Sequence, residues 1–279
     1  MSRPGGDYKK GSERTLGTRT AVRRFRATVE YDGTEFAGFQ SQRNARTVQG
    51  ELEAALSRLS GGDRQPVVGA GRTDAGVHAM GQVIAFTYPG RLSEAALTDA
   101  LNGTLPPDLA VRDIRRAPYG FHPRYAARYR EYRYSIWNGP RSPLRERVAL
   151  WVRQDLDIAA MARAATAFEG RHDFSAVGGA DPQPARTVHR LRVRRDGSMV
   201  TIDVRADAFL RGMVRRIVAV LLAVGKGQLD PSAVPGLLTA GRPAMRGAAA
   251  PARGLCLRRV VMGRRRERDG TRDATGHED

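Results

Sequence analysis

The sequence predicts an α+β protein built from two ferredoxin-like halves that share a continuous antiparallel sheet around a central basic cleft. Three observations lead there. Strand-like and helix-like apolar periods occur twice in the order β-α-β-β-α-β. A proline-marked join, Pro118 to Pro123, separates the two sets. The net charge is +18, and residues 27–262 keep +12 of it, because the first 26 residues carry +6 and the last 17 carry none. A balance of that sign points to a polyanionic partner. Of the 47 basic residues 44 are arginine, a skew that a GC-rich genome also favours. Arginine nonetheless grips phosphate through a planar fork.

Residues 1–24 are polar, Gly-rich and basic, which predicts a disordered arm. Phe25 to Tyr31 alternates apolar and polar residues, the period of a half-buried strand. Asp32-Gly33 is a turn signal. Thr47 can cap a helix whose Val48, Leu52, Ala55, Leu56 and Leu59 share one face. Gly61-Gly62 ends it. A strand near 66–69, a glycine-rich loop and a strand over 82–88 follow. Ser93 caps a second helix through Asn102, and a strand over 109–116 completes the half that spans 25–118.

The second half, 119–262, opens with a strand over 128–136, in which Tyr132, Tyr134 and Ile136 share a face. Asp157 caps a helix that stops at Gly170. Asp196-Gly197 marks a hairpin between Arg190–Arg194 and the alternating run Val200, Ile202, Val204, Ala206. The segment 209–224 is apolar over most of its circumference, so a largely buried helix is expected. Arg211 and Arg215 then fall one turn apart on it. A short helix begins at Asp230-Pro231, and a strand over 255–262 closes the unit. The tail, 263–279, is charged and predicted to be disordered.

Between the first half's second and third strands lies Gly69-Ala-Gly-Arg-Thr-Asp-Ala-Gly-Val-His-Ala79. A dinucleotide-binding loop is excluded, because Asp74 stands where a third glycine is required and a strand follows instead of a helix. On its own, Asp-x-Gly is most often a turn in which the aspartate caps its own backbone, and Arg72 a solvated charge.

Gly71-Arg-Thr-Asp-Ala-Gly-Val-His-Ala79 closely resembles the catalytic signature of the tRNA pseudouridine synthase A (TruA) family. Further similar segments follow the family order: Tyr31 to Gln40, Tyr132-Arg-Tyr134, and Ala206 to Val218. Phe39 stands where the family would have tryptophan. The resemblance implies an isomerase that converts uridine to pseudouridine at positions 38, 39 and 40 of the tRNA anticodon stem-loop. It implies a homodimer, with one tRNA contacting both subunits. Asp74 would be the essential catalytic aspartate, Tyr132 would lie against the target uracil, and Arg72 would assist base flipping. Arg215 would match the family's basic residue.

The chemistry suits these residues. Pseudouridine formation breaks C1′–N1 and rejoins the base through C5, so no redox step, energy source, metal or cofactor is required. A carboxylate can attack carbon and later leave. Attack at C6, attack at C1′ and removal of a ribose proton are all routes open to Asp74. An arginine on an apolar helix needs an acidic partner, which Asp74 can supply to Arg215. A tyrosine face stacks on a base, and its hydroxyl can assist proton transfer. A uridine inside a stem must be extruded first.

A non-catalytic RNA-binding module would need aromatic RNP segments, which are missing. A metal-dependent nuclease would need clustered carboxylates, and Asp74 has no acidic neighbour in its loop. His78, His122, His172 and His189 lack metal-ligand spacing, and His78 reads as structural. Cys256 is the single cysteine, no run approaches the ~18 apolar residues of a membrane span, and the N-terminus lacks a signal peptide's apolar core. A cytoplasmic protein is expected.

Overall fold

The computed structural model describes residues 23–239 and 249–263. The expected basic arm and charged tail lie outside the described residues, except that Arg23 and Arg24 already belong to the first strand, paired with Tyr88 and Thr87. In chain order the first half contains β1 (Arg23–Tyr31), α1 (Val48–Leu59), β2 (Val68–Gly69), β3 (His78–Tyr88), α2 (Glu94–Asn102) and β4 (Leu109–Arg116). A short α3 (Pro123–Ala126) turns the chain into β5 (Ala127–Trp137). Then come β6 (Leu150–Trp151), α4 (Ile158–Thr166), β7 (Gly170–Asp173), β8 (Ala185–Asp196), β9 (Met199–Ala206), α5 (Met213–Gly225), α6 (Val234–Thr239) and β10 (Leu255–Met262).

The local signals act where the sequence places them. Thr47, Ser93 and Asp157 each accept a hydrogen bond from a first-turn backbone N–H of α1, α2 and α4. Gly197 turns the β8–β9 hairpin with φ 53°. The strand expected near 66–69 is β2, reduced to Val68–Gly69. The dipeptide-length β6 and the edge strand β7 carry too little periodicity to be read from sequence.

All ten strands form one sheet, in the order β4-β1-β3-β10-β5-β9-β8-β7, with β2 beside β3 and β6 beside β5. Both halves repeat one arrangement: β4-β1-β3-β2 in the first, β10-β5-β9-β8 in the second. Neighbours within these sets run antiparallel. The expectation of an antiparallel sheet throughout needs two corrections. The short β6 runs parallel to β5, through Ile136↔Leu150 and Trp137↔Trp151. The seam is parallel as well. There β10 runs parallel to β3, through Cys256↔His78 and Leu257↔Ala79. Because β2 covers only Ile84 and Ala85, the start of β3 is an unpaired edge, and β10 takes it. No hairpin links these two strands, so docking of the halves sets their relative direction.

Two apolar cores lie under the helices. In the first, Phe25 stacks on Phe86 at 5.8 Å between ring centres, with Leu52 and Leu97 from the helices above them. In the second, Tyr134, Ile136, Ile202 and Phe168 meet α4 and α5. Tyr134 is fully buried, and its hydroxyl donates to the Pro251 carbonyl at 2.9 Å. Burying each such side chain contributes about 1.5–3 kcal/mol. Alternation sends Glu131, Arg133, Asp203 and Arg205 to the opposite face of the sheet. Among the described residues no helix is long and apolar enough to cross a membrane.

Candidate active site

The loop after β2 is held from below by the segment after β1. Phe39 N–H donates to the Thr73 carbonyl (3.1 Å) and Gly76 N–H to the Phe36 carbonyl (3.2 Å). Tyr31 Oη and Thr73 Oγ1 share a hydrogen bond of 2.8 Å. Burial raises the Tyr31 phenol pKa well above its ordinary value, so that hydroxyl stays protonated. Gln82 donates to the Gly71 carbonyl at 2.9 Å. Two glycines permit this close approach. Gly38 has φ 105°, and a Cβ there would lie 2.9 Å from the Thr73 carbonyl oxygen. A Cβ on Gly69 would strike the Phe39 ring at 2.6 Å. The Gly38→Ala variant is therefore expected to lose about 1–3 kcal/mol of stability to backbone strain. Urea unfolding measures the loss, and stability within error of wild type would refute the strain.

The loop itself closes as a turn. Val77 N–H donates to the Asp74 carbonyl at 3.2 Å, with Gly76 at φ 75°, as a type II turn requires at its third position. The Asp74 side chain does not cap this turn. Its Oδ2 lies 3.4 Å from Nη1 of Arg215. Arg215 is in turn fixed at its other end: Nε donates to the Ala250 carbonyl (2.7 Å), while Ala250 N–H donates to the Arg215 carbonyl (3.0 Å). Both partners are partly exposed, 30% for Asp74 and 23% for Arg215, so the pair is open to a ligand.

These groups line a cleft of about 1650 Å³ that takes walls from both halves of the sheet. Tyr132 is half-buried in it, its ring edge-to-face with Phe209 at 5.1 Å. Burial raises the Tyr132 phenol above its ordinary pKa, Arg130 opposes that shift, and Asp74 adds to it. The group is therefore a neutral hydroxyl at neutral pH, able to donate a hydrogen bond. Arg72 also lines the cleft; it is exposed and makes no ion pair among the described residues. Asp74, Arg215, Tyr132 and Arg72 thus share one cavity.

Helix α5 differs from expectation. It starts at Met213, not at 209, because Gly212 takes a left-handed conformation (φ 69°) that no helix interior admits. Phe209 to Arg211 precede the helix and cross the cleft wall. Arg211 is consequently not one helical turn below Arg215, although both line the cleft.

Two cleft residues escape the sequence reading. Arg130 donates to the carbonyls of Ala70 (2.7 Å), Arg124 (3.0 Å) and Asp207 (2.7 Å), and so ties the root of the loop to the other half. A signal for it exists, since Arg130 lies two residues before Tyr132 and shares its strand face. Phe209 has none, being hidden in an apolar run. His78 is buried: Nδ1 accepts from Gly33 N–H (3.0 Å), and Nε2 meets the carbonyls of Arg147 (2.9 Å) and Arg253 (3.1 Å). With Asp32 Oδ1 also 3.1 Å from Nδ1, these contacts tie three segments to the ring and give it a structural task. No group of three or more His, Cys, Asp or Glu residues suited to a metal ion occurs among the described residues.

A carboxylate held against one guanidinium group, in an arginine-lined cleft of a two-half α+β sheet, defines an enzyme site for an anionic substrate. Comparison with known proteins makes this specific. The family model described as tRNA pseudouridine synthase matches residues 27–126 and 164–261. A protein of Geotalea uraniireducens named tRNA pseudouridine synthase A is 44% identical over 85% of this chain and 98% of its own. Proteins of that name from Moorella thermoacetica (44% identical, 84% of this chain, 97% of its own) and Geobacillus kaustophilus (40%, 86% and 94%) match over similar spans. The chain belongs to the tRNA pseudouridine synthase family, and its activity is that of an isomerase acting on RNA.

Proposed function

We propose that this enzyme converts uridines 38, 39 and 40 of the tRNA anticodon stem-loop to pseudouridine, with Asp74 as the nucleophile. The observation that carries the reading is the placement of the Asp74 carboxylate 3.4 Å from Arg215 in a cleft that Tyr132 and Arg72 also line.

In the proposed course, Arg72 fills the gap left by the extruded uridine or holds a flanking phosphate. The base enters beside the Tyr132 ring, whose face is suited to stacking. Arg215 holds the Asp74 carboxylate oriented through the 3.4 Å contact of its Nη1. The carboxylate attacks C1′ and displaces N1, the freed uracil anion turns within the cavity, and C5 attacks C1′ and displaces the carboxylate. The proton on C5 leaves and N1 gains one, so the net change is an isomerisation with every atom retained. The neutral Tyr132 hydroxyl assists by donating a hydrogen bond to the turning uracil, while a base takes the C5 proton. By the resemblance in its motifs the enzyme works in the cytoplasm as a homodimer, one tRNA touching both subunits.

The test uses an unmodified tRNA transcript carrying uridine at 38, 39 and 40, and a matched transcript with cytidine at all three. Pseudouridine mapped to those positions in the first and to none in the second is the expected result. Product elsewhere in the tRNA would overturn the assignment of the target, and tRNA binding with no product would leave an RNA-binding module as the better reading.

A further inference from the structure

The face of the sheet turned away from the Asp74 cleft carries its own concavity, of about 370 Å³, lined by seven arginines and two carboxylates. Cross-strand register arranges these groups in rows over β8, β9, β5 and β10. One row runs Arg190, Arg205, Glu131, Arg259, and the next runs Arg192, Asp203, Arg133. Arg194 stands opposite Thr201 in a third.

The two carboxylates are fully engaged. Glu131 takes Arg205 and Arg259, and the Arg259 hydrogen bond, with help from Arg205, holds its carboxyl below the usual range. Asp203 takes Arg133 at 2.7 Å. Arg190, Arg192 and Arg194 are exposed and make no ion pair among the described residues. Side chains at i, i+2 and i+4 of one strand point the same way, about 6.6–6.8 Å apart. Arg190 also lies directly opposite Arg205, and like charges in that relation destabilise a sheet.

Folding alone does not call for this. The stretch 190–196 of β8 pairs with no strand on its outer side, since β7 pairs only with 185–188, and there the Glu169 carboxylate accepts from Leu191 N–H at 2.7 Å. A charge there guards against aggregation, but guarding an edge does not require three guanidinium groups stacked on one face beside a fourth. An arginine-rich composition would scatter them instead. Three evenly spaced forks match consecutive phosphates along one nucleic-acid strand.

We infer that Arg190, Arg192 and Arg194 form a second RNA-binding surface that grips the phosphate backbone, separate from the catalytic cleft. This rests on the reading of the enzyme as one acting on RNA. The surface contacts backbone without reading bases, so it adds affinity and not target choice.

The test is the triple variant Arg190→Gln, Arg192→Gln, Arg194→Gln in the full chain, measured on intact tRNA over a range of salt. The slope of log affinity against log salt is expected to flatten by about 2 to 3, at about 0.9 for each phosphate no longer neutralised. Affinity is expected to fall at least tenfold, with kcat at saturating tRNA unchanged. The three single variants should each show about one third of the slope change, so the result does not depend on the triple variant folding. A control variant neutralising Arg58, Arg91 and Arg163 carries the same net charge. An unchanged slope, or an equal loss in the control, would overturn the proposal. A change in sedimentation to a smaller species would also overturn it and make the face a contact between copies of this chain. Failure of the pseudouridine assay in wild type would strike the assignment of the reaction and leave the slope comparison readable.

Discussion

Asp74→Ala is expected to abolish pseudouridine formation while leaving tRNA binding intact. Removing a nucleophile from an enzyme whose other groups remain costs about 10⁴-fold or more in turnover. Binding should hold or tighten slightly, because one negative charge leaves an arginine-lined cleft. The fold should hold as well. The Asp74 carbonyl makes the turn bond to Val77, and alanine keeps that carbonyl. Asp74→Asn keeps nearly the same shape and removes the charge, and it should be as inactive as the alanine variant. The measurement is pseudouridine per tRNA at each position, alongside a dissociation constant. Full activity in either variant would reduce the loop to a structural turn. Loss of binding along with loss of product would mean that Asp74 holds the cleft together instead of acting on the base.

Arg215→Gln should have the second largest effect, a fall in kcat of about 10²–10³-fold, the scale of losing one preorganised electrostatic group. KM for tRNA should change little, because the guanidinium faces Asp74 and the Ala250 carbonyl, both within the cleft wall. Glutamine can still donate to the Ala250 carbonyl but brings no charge to Asp74. Arg215→Lys restores charge without the fork that lets one side chain serve both partners, so only partial rescue is expected. A variant with wild-type kcat would break the proposed link between Arg215 and the carboxylate. A variant whose melting temperature collapses would assign the residue to holding the segment at Ala250.

The two residues differ in how far the chain alone reveals them. The motif around Asp74 is contiguous, and its glycines and turn are local, so the residue stands out in the linear sequence. The Asp74–Arg215 contact spans 141 positions and depends on the two halves meeting at the correct seam. Apolar periodicity puts Arg215 inside a helix, which is where it lies, but extends that helix back to Phe209. Apolar residues continue through 209–210, and only the left-handed backbone at Gly212 interrupts them. Glycine tolerates either hand, so its conformation is decided by packing and not by its own preference.

The repeated β-α-β-β-α-β order, without β6 and β7, the caps at Thr47, Ser93 and Asp157, the hairpin at Gly197 and the candidate carboxylate are written in the linear chain. Each is governed by interactions within a few residues, which leave a period or a residue type behind. Folding in three dimensions settles the rest: the parallel seam between β3 and β10, the Arg130 ties to Ala70 and Asp207, the wall made by Phe209, and the rows of charge on the far face. All of these join residues distant in the chain. Their partners are selected by which edges remain unpaired and which faces pack together once the halves have folded, and no local period encodes that choice.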